Sequence, residues 1–422
     1  MNRRVVITGM GIVAPNAIGL DNFKQALLAG KSGIRHYQEL EKLGFGCQIG
    51  GKPDLSEEVL AKYFTPLQLK NLEADGVLFG CLAGLMAWED SAQGKCDSTD
   101  WDAGCIMGAG LAGADVIRKS VYAIDGMNVR RLGSSTVPQT MSSGVSAHLG
   151  GMIGLGNQVT TNASACSTGT EAVLMGFDRI RSGNADRMLV GGCDSASPYV
   201  WAGFDAMRVT SRKHNDSPEE GSRPLSSTAS GFVPGGGAGA LVLESLESAL
   251  ARKAPIYAEV LGGHSNSGGQ RNGGSMTAPN PEGIERCITR AMNLSGVQPA
   301  DIDLISGHLT ATIFDPYEVK LWSKSLNRSG ENFPYINSLK SMTGHCLSAS
   351  GAMECIASTL QIKDSFVHPT INLDELHSDV AATISADRAP NAAIHTPVRI
   401  AASSSFGFGD VNSVIILKRF EA

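Results

Sequence analysis

The sequence predicts a layered α/β body built from two related halves, and three observations carry that reading. Short apolar strands alternate with amphipathic helices along the whole chain. The alternation restarts near Ile256, so the halves span residues 1–250 and 251–422. Each half opens on an apolar strand and holds a strand–helix turn of small residues. With 422 residues, 42% of them hydrophobic and 18% charged, the chain has the material for a sizeable core.

Residues 3–9 read as a buried strand that turns out at Gly9-Met10-Gly11. The third glycine and the distal acid of a dinucleotide motif are missing, so a tight turn is the better account. Asp21 is expected to cap a helix carrying Phe23, Leu27 and Leu28. A helical pattern runs from Leu67 to Trp88, and Gly104–Leu111 reads as a strand ending in a glycine turn. Residues 113–135 are more polar, with Arg118, Lys119, Arg130 and Arg131, and suit a solvated helix and loop or a docking surface. Small residues over Met141–Leu149 suit close helix packing. Further strands follow at Arg187–Gly192 and Ala240–Glu244. In the second half a strand over Ile256–Leu261 gives way to a Gly, Ser and Asn loop. A helix at about 281–294, a strand at Asp303–Gly307 and a helix from Asp315 to Leu326 come next. Strand Tyr335–Ser338, helix Gly351–Lys363, strand 397–404, a glycine loop at 406–409 and strand Ser413–Lys418 close the chain.

Composition removes several function classes. The formal net charge is -6 and no long Lys/Arg block offsets it, which argues against a nucleic-acid binder. Nine scattered cysteines without CxxC pairing fit neither a disulfide framework nor a structural zinc site, so no metal is expected. No run of about twenty apolar residues is present, so neither a membrane span nor a membrane partner is expected. A cytoplasmic location follows as the expectation.

The chemistry centres on Val159–Glu171. This stretch leaves a strand end, turns sharply at Cys166 and enters a helix with Val173, Leu174, Phe177 and Ile180 on its apolar face. A thiol at a helix N-terminus is favoured as the thiolate, so Cys166 reads as a nucleophile. His308 and His345 each follow a strand in the second half, where open α/β sheets place their sites. Lys340 and Glu354 flank His345 and offer a polar network or a surface ion pair. Ser405–Asp410 offers free N–H groups to an oxyanion.

Taken together, these residues resemble the elongating β-ketoacyl-[acyl carrier protein] synthases, condensing enzymes of type I and type II with the thiolase fold. The resemblance covers essentially the whole length. Arg4–Gly11 and Leu28–Gly33 look like the first strand and helix end of that family. Ala165-Cys166 matches its nucleophile motif, His308 and Lys340–His345 its two histidines, and Phe406–Gly409 its final loop. Phe204–Met207 and Met141–Ala147 are closer to the bacterial type I members. The resemblance implies a five-layered α-β-α-β-α arrangement, the first half carrying the nucleophile and the second both histidines. It implies a decarboxylative Claisen condensation with malonyl-[acyl carrier protein], in fatty-acid or in specialised polyketide or polyene synthesis. It gives the catalytic set Cys166, His308 and His345, supported by Lys340 and Glu354. The oxyanion hole comes from the N–H groups of Cys166 and Phe408. Thr310 and Thr312 match positions that hold the pantetheine arm, Phe204 falls in the motif beside the substrate site, and Leu111 falls where a side chain limits the acyl pocket. No cofactor is implied, since acyl carrier protein brings both substrates.

The chain departs from the family pattern at Leu309, where glycine is usual, and at Asp410, where the loop usually holds another glycine. A residue is missing between His308 and Asp315. The usual Asp and Arg after Arg223-Pro224 are replaced, and Ser348 and Ser350 stand where Gly and Ala are common. These departures imply a specialised synthase. Two other readings compete with this one. A non-catalytic chain-length subunit of a ketosynthase heterodimer would lack the cysteine. A thiolase acting on coenzyme A esters would carry a second cysteine near the last loop, and residues 401–413 hold none. The partner is expected to be an acidic carrier protein docking on Lys70, Arg130, Arg131, Arg208, Arg212 and Lys213. The chain itself is expected to form a homodimer, or a heterodimer with a homologue of the chain-length type.

Overall fold

Ten strands form the path of one mixed sheet, and an eleventh, Ala17–Ile18, pairs off it with the first. The computed structural model describes residues 3–94 and 96–421. In chain order the strands are β1 (Val5–Ala14), β2 (Ala103–Ala109), β3 (Val159–Thr160), β4 (Arg187–Asp194), β5 (Gly237–Ser245), β6 (Ala258–Ser267), β7 (Leu304–Ser306), β8 (Tyr335–Asn337), β9 (Ile400–Gly407) and β10 (Val411–Lys418). Their order across the sheet is β8-β7-β9-β10-β6-β1-β5-β4-β2-β3. All strands of one half therefore lie together. The halves join where Val5–Ile7 pair antiparallel with Ala258–Val260.

Among the described residues there are nine longer helices, most of them packed on the sheet. They are α1 (Leu20–Ala29), α2 (Asp75–Asp90), α3 (Ala114–Asp125), α4 (Gly144–Ile153), α5 (Thr168–Arg181), α6 (Pro198–Ala206), α7 (Pro281–Ser295), α8 (Asp315–Leu326) and α9 (Ser350–Asp364). Helices α5 and α9 pack on each other and on strands of both halves, which makes them the middle layer. Every residue of α9 from Ser350 to Ile362 is buried, as a helix with sheet on both sides requires. Helices α2 and α4 cover the outer face of the first half, and α7 with α8 beside it that of the second. The five layers are those of the thiolase fold.

Several sequence expectations change. The first strand does not turn at Gly9–Gly11 but runs on to Ala14. The glycines serve packing instead: a Cβ on Gly9 would overlap the Ala87 carbonyl oxygen, and one on Gly11 that of Ala83. They let α2 lie directly on β1. Asp21 does not cap α1; the cap position is Gly19, in the left-handed region at φ 81°, and Asp21 sits in the first turn. The helical pattern from Leu67 to Trp88 breaks into Pro66–Lys70 and α2, because residues 71–74 leave helical geometry. The Gly, Ser and Asn run after Leu261 stays in β6 as far as Ser267, held by pairing with β10. Helix α3 is exposed as expected, but its exposed face is apolar as well as charged, with Ile117, Val121, Tyr122 and Ile124 along it, followed by Met127 (92% exposed) and Val129. No helix among the described residues is long and apolar enough to cross a membrane.

Candidate active site

Three chain reversals meet at the Cys166 sulfur. The first is its own: Ala165 is left-handed at φ 49°, and Cys166 stands two residues before α5. Thr168 braces that strained turn, accepting from the Ser164 N–H (2.7 Å) and donating to the Ala165 carbonyl (2.7 Å). The second reversal is the β9–β10 hairpin, whose tip is Phe408–Asp410. Ser167 Oγ contacts the carbonyls of Ser405 (3.0 Å) and Val411 (3.1 Å), fastening hairpin to cysteine turn. Gly407 allows the approach, since a Cβ there would sit 3.0 Å from the Cys166 nitrogen. The Phe408 N–H consequently faces the Cys166 sulfur. The third reversal follows β8 and carries Lys340 and His345.

The sulfur lies 3.1 Å from His345 Nε2. Cys166, His308 and His345 each offer a ligand-type atom within 4.8 Å of the others. The two imidazoles meet edge to face, with centroids 5.4 Å apart and planes at 83°. Burial first, and the Lys340 charge next, hold both histidines well below the usual imidazole range, so both are neutral near pH 7. His308 Nδ1 is buried without a hydrogen-bond partner. One expectation is overturned at the nucleophile. Burial pushes the Cys166 thiol up to about 11, although Lys340 and the Phe408 N–H pull it down. Desolvation of the anion outweighs the helix terminus, and the resting group is a thiol.

Lys340 and Glu354 form an ion pair, and it is no surface pair: the side chains are 2% and 1% exposed. It ties the His345 turn to α9. Burial pushes the Glu354 carboxyl up while the ammonium opposes that shift. Thr310 and Thr312 lie beyond His308 with their hydroxyls 3.0 Å apart. Phe204 on α6 packs against Phe408 (5.9 Å) and Phe232 (5.5 Å), and Phe232 meets the His345 ring (5.3 Å), giving one aromatic wall. Leu111 is not enclosed in a pocket. The glycine turn after β2 leaves its side chain 54% exposed, with its N–H 3.3 Å from the Asp194 carboxylate. Lys70, Arg130, Arg131, Arg208, Arg212 and Lys213 are all exposed, and Arg212 pairs with Asp205.

Sequence reasoning missed the groups that hold His308. Glu318 is buried and accepts the N–H groups of His308 (2.7 Å) and Leu309 (2.9 Å); burial pushes its carboxyl up to about 7. Asp315 accepts from Leu225, Thr310 and Ala311, which fixes Ala311 in the left-handed region at φ 61°. Two acids three apart at the start of α8, just after a strand-end histidine, were the available signal. The departures also find physical accounts. Leu309 is 1% exposed and packs into the second-half core, not the site. Asp410, left-handed at φ 61°, accepts the N–H groups of Gln270 and Asn280, both at 2.8 Å.

With this geometry in place, comparison with known proteins is direct. The profile of the family described as "Beta-ketoacyl synthase, N-terminal domain" matches residues 2–249, and that of "Beta-ketoacyl synthase, C-terminal domain" matches residues 257–374. The chain is 33% identical over 423 residues to 3-oxoacyl-[acyl-carrier-protein] synthase 2 of Coxiella burnetii, covering 99% of each chain. It is 34% identical over 424 residues to synthase 1 of Haemophilus influenzae, again covering 99% of each. Among solved structures, the ishigamide ketosynthase/chain length factor superposes with a TM-score of 0.88 at 30% identity, over all of both chains. A complex of a type II PKS acyl-carrier protein with its ketosynthase bound to the hexaketide gives a TM-score of 0.89 at 29% identity, also over all of both chains.

The raised thiol makes a direct expectation for the free protein. Because the thiolate is the nucleophile, iodoacetamide alkylation of Cys166, followed by peptide mass spectrometry, should quicken about tenfold per pH unit and still climb above pH 9. A plateau near pH 7 would mean that the helix terminus outweighs burial.

Proposed function

The chain belongs to the β-ketoacyl synthase family, and we propose that Cys166, His308 and His345 perform its decarboxylative Claisen condensation of an acyl thioester with malonyl-[acyl carrier protein]. The product is 3-oxoacyl-[acyl carrier protein]. The observation that carries this reading is the meeting of one thiol, two neutral imidazoles and the Phe408 N–H at a single point.

In the first half-reaction Cys166 Sγ bonds to the acyl carbon, and the pantetheine sulfur leaves with the thiol proton. The malonyl thioester then binds, its arm held by Thr310 and Thr312. Its carboxylate departs as carbon dioxide, and the electron pair left on C2 delocalises as an enolate. N–H groups of His308 and His345 stabilise the enolate oxygen, a role that requires neutral donor rings. C2 attacks the Cys166-bound acyl carbon, the new C–C bond forms, and the sulfur leaves and takes up a proton from solvent. The N–H groups of Cys166 and Phe408 hold the oxyanion of each tetrahedral adduct, each donor worth about 3–4 kcal/mol. Lys340 and Glu354 keep charge near the histidines without placing it on them. The steps call for no cofactor. A chain-length subunit has no use for a nucleophile set between two histidines, and a thiolase would need the second cysteine.

The departures that border the site, Asp410, Ser348 and Ser350, favour a specialised polyketide or polyene pathway over fatty-acid synthesis. The exposed apolar residues of α3 together with Met127 and Val129 call for a second chain, either another copy or a homologue of the chain-length type.

Three measurements test this reading. Intact-mass spectrometry with a panel of acyl carrier proteins should show an acyl adduct on the native chain and none on Cys166→Ala, at unchanged thermal stability; condensation by that variant would sink the assignment. Charge reversal of Arg130 and Arg131 should raise KM for carrier-bound substrates by about tenfold at low salt, with the loss shrinking as salt rises. Docking lies elsewhere if turnover is unchanged across salt. Light scattering of the purified chain should return a dimer mass, alone or with a co-expressed homologue, and a monomer under both conditions would leave the α3 face unexplained.

A further inference from the structure

We propose that Ser350, which stands where relatives commonly have alanine, is a positioning residue whose hydroxyl braces His345 Nδ1 and so helps to hold the Nε2–H toward Cys166. The inference rests on the condensation reading for its kinetic consequence and on geometry alone for its structural one.

His345 Nδ1 has two polar neighbours. The Leu347 backbone N–H points at it from 3.2 Å, and Ser350 Oγ lies 3.1 Å away. A backbone N–H can only donate, so Nδ1 is an acceptor and carries no proton. The proton of the neutral ring therefore sits on Nε2, 3.1 Å from Cys166 Sγ. With Nδ1 accepting, the Ser350 hydroxyl is the donor of that contact. It is 4% exposed, and it opens α9, the buried middle helix.

A lone backbone donor from a turn is a weak brace. Leu347 lies in the left-handed region at φ 50°, within the short 3-10 turn Leu347–Ala349. Ser350 adds a donor anchored in a helix rather than in the turn. Ser348 secures the turn from the other side, with its N–H 3.2 Å from the Asp194 carboxylate and its hydroxyl bonded to the same group. The two serines therefore supply one hydrogen bond to the imidazole and one to the turn that presents it.

Two effects follow for the reaction. A second donor on Nδ1 opposes protonation of the ring, and it holds the Nε2–H aimed at the reacting carbonyl. The titratable groups around the ring are Cys166, His308, Lys340 with its partner Glu354, and Asp194 behind Ser348. Replacing Ser350 changes none of them. Burial and Lys340 already hold the imidazole low, and a hydrogen bond donated to Nδ1 of the neutral ring acts in the same direction.

The test compares the native protein with Ser350→Ala and Ser350→Thr, the first a residue the family tolerates and the second one that keeps the hydroxyl. Nitrogen-15 spectra of histidine-labelled protein should show the His345 Nδ1 resonance shifted in Ser350→Ala and restored in Ser350→Thr, with assignment by comparison to His345→Asn. Carbon dioxide release from malonyl-[acyl carrier protein] should show kcat down about 3- to 10-fold in Ser350→Ala with KM unchanged, the loss of one hydrogen bond. The acid limb of its pH profile should also move to higher pH. If the native chain releases no carbon dioxide, the condensation reading fails, while the spectra still decide the role of Ser350. An unmoved Nδ1 resonance, or equal kcat and acid limbs in a decarboxylating native protein and Ser350→Ala, overturns the proposal.

Discussion

The ion pair between Lys340 and Glu354 is the interaction on which the site depends. Taking an ammonium and a carboxylate out of water costs several kcal/mol per ion, so the pair persists only because neither charge can be left alone. It joins the turn that carries His345 to the helix shared by both half-sheets. It also places a fixed positive charge behind two imidazoles that must not become cations. Burial alone would keep the rings neutral but would also suppress the thiolate further. The ammonium opposes protonation of both histidines and favours the sulfur anion, so one charge serves three groups.

A second dependence lies in the meeting of three reversals. Cys166, Phe408 and His345 come from distant parts of the chain, and each sits beside a strained or glycine-held position. Ala165, Leu347 and Asp410 adopt left-handed backbone, which costs of order 1 kcal/mol or more at each non-glycine residue. The cost is met locally, by Thr168 at the first, by the Asp194 and Ser348 contacts at the second and by the bonds that Asp410 accepts at the third. Strain is thereby distributed among braces rather than borne by the catalytic side chains.

Much of this was legible in the sequence. Apolar runs marked the strands, and the restart at Ile256 marked the second half, because both signals arise from burial on a repeating geometry. Cys166, His308 and His345 could be singled out because each stands at a strand end beside small residues. The roles of Glu318, Asp315 and Ser350 could not be read there, although the acids and the departure at Ser350 are visible, since they act on backbone N–H groups or on a ring brought near by folding. The apparent turn at Gly9–Gly11 misled for a related reason. Glycine reports only that no side chain fits, and here the excluded volume is occupied by α2 rather than by a bend. The thiol was misjudged because helix position is visible in sequence and desolvation is not.

The anchoring of Asp410 has a further consequence. Where a glycine would leave the hairpin tip free to pivot, the carboxylate reaches out to Gln270 and Asn280, while the Gly409 N–H bonds to the Met276 carbonyl at 2.8 Å. The surface segment 268–280 is thus spliced to the tip that presents the Phe408 N–H. Its length and sequence are then not neutral ground. An insertion or deletion there changes where Asp410 is pulled, and the displacement is delivered two residues away from the oxyanion donor. The segment is thereby coupled mechanically to the active site, and a change in it reaches the reaction without touching Cys166, His308 or His345.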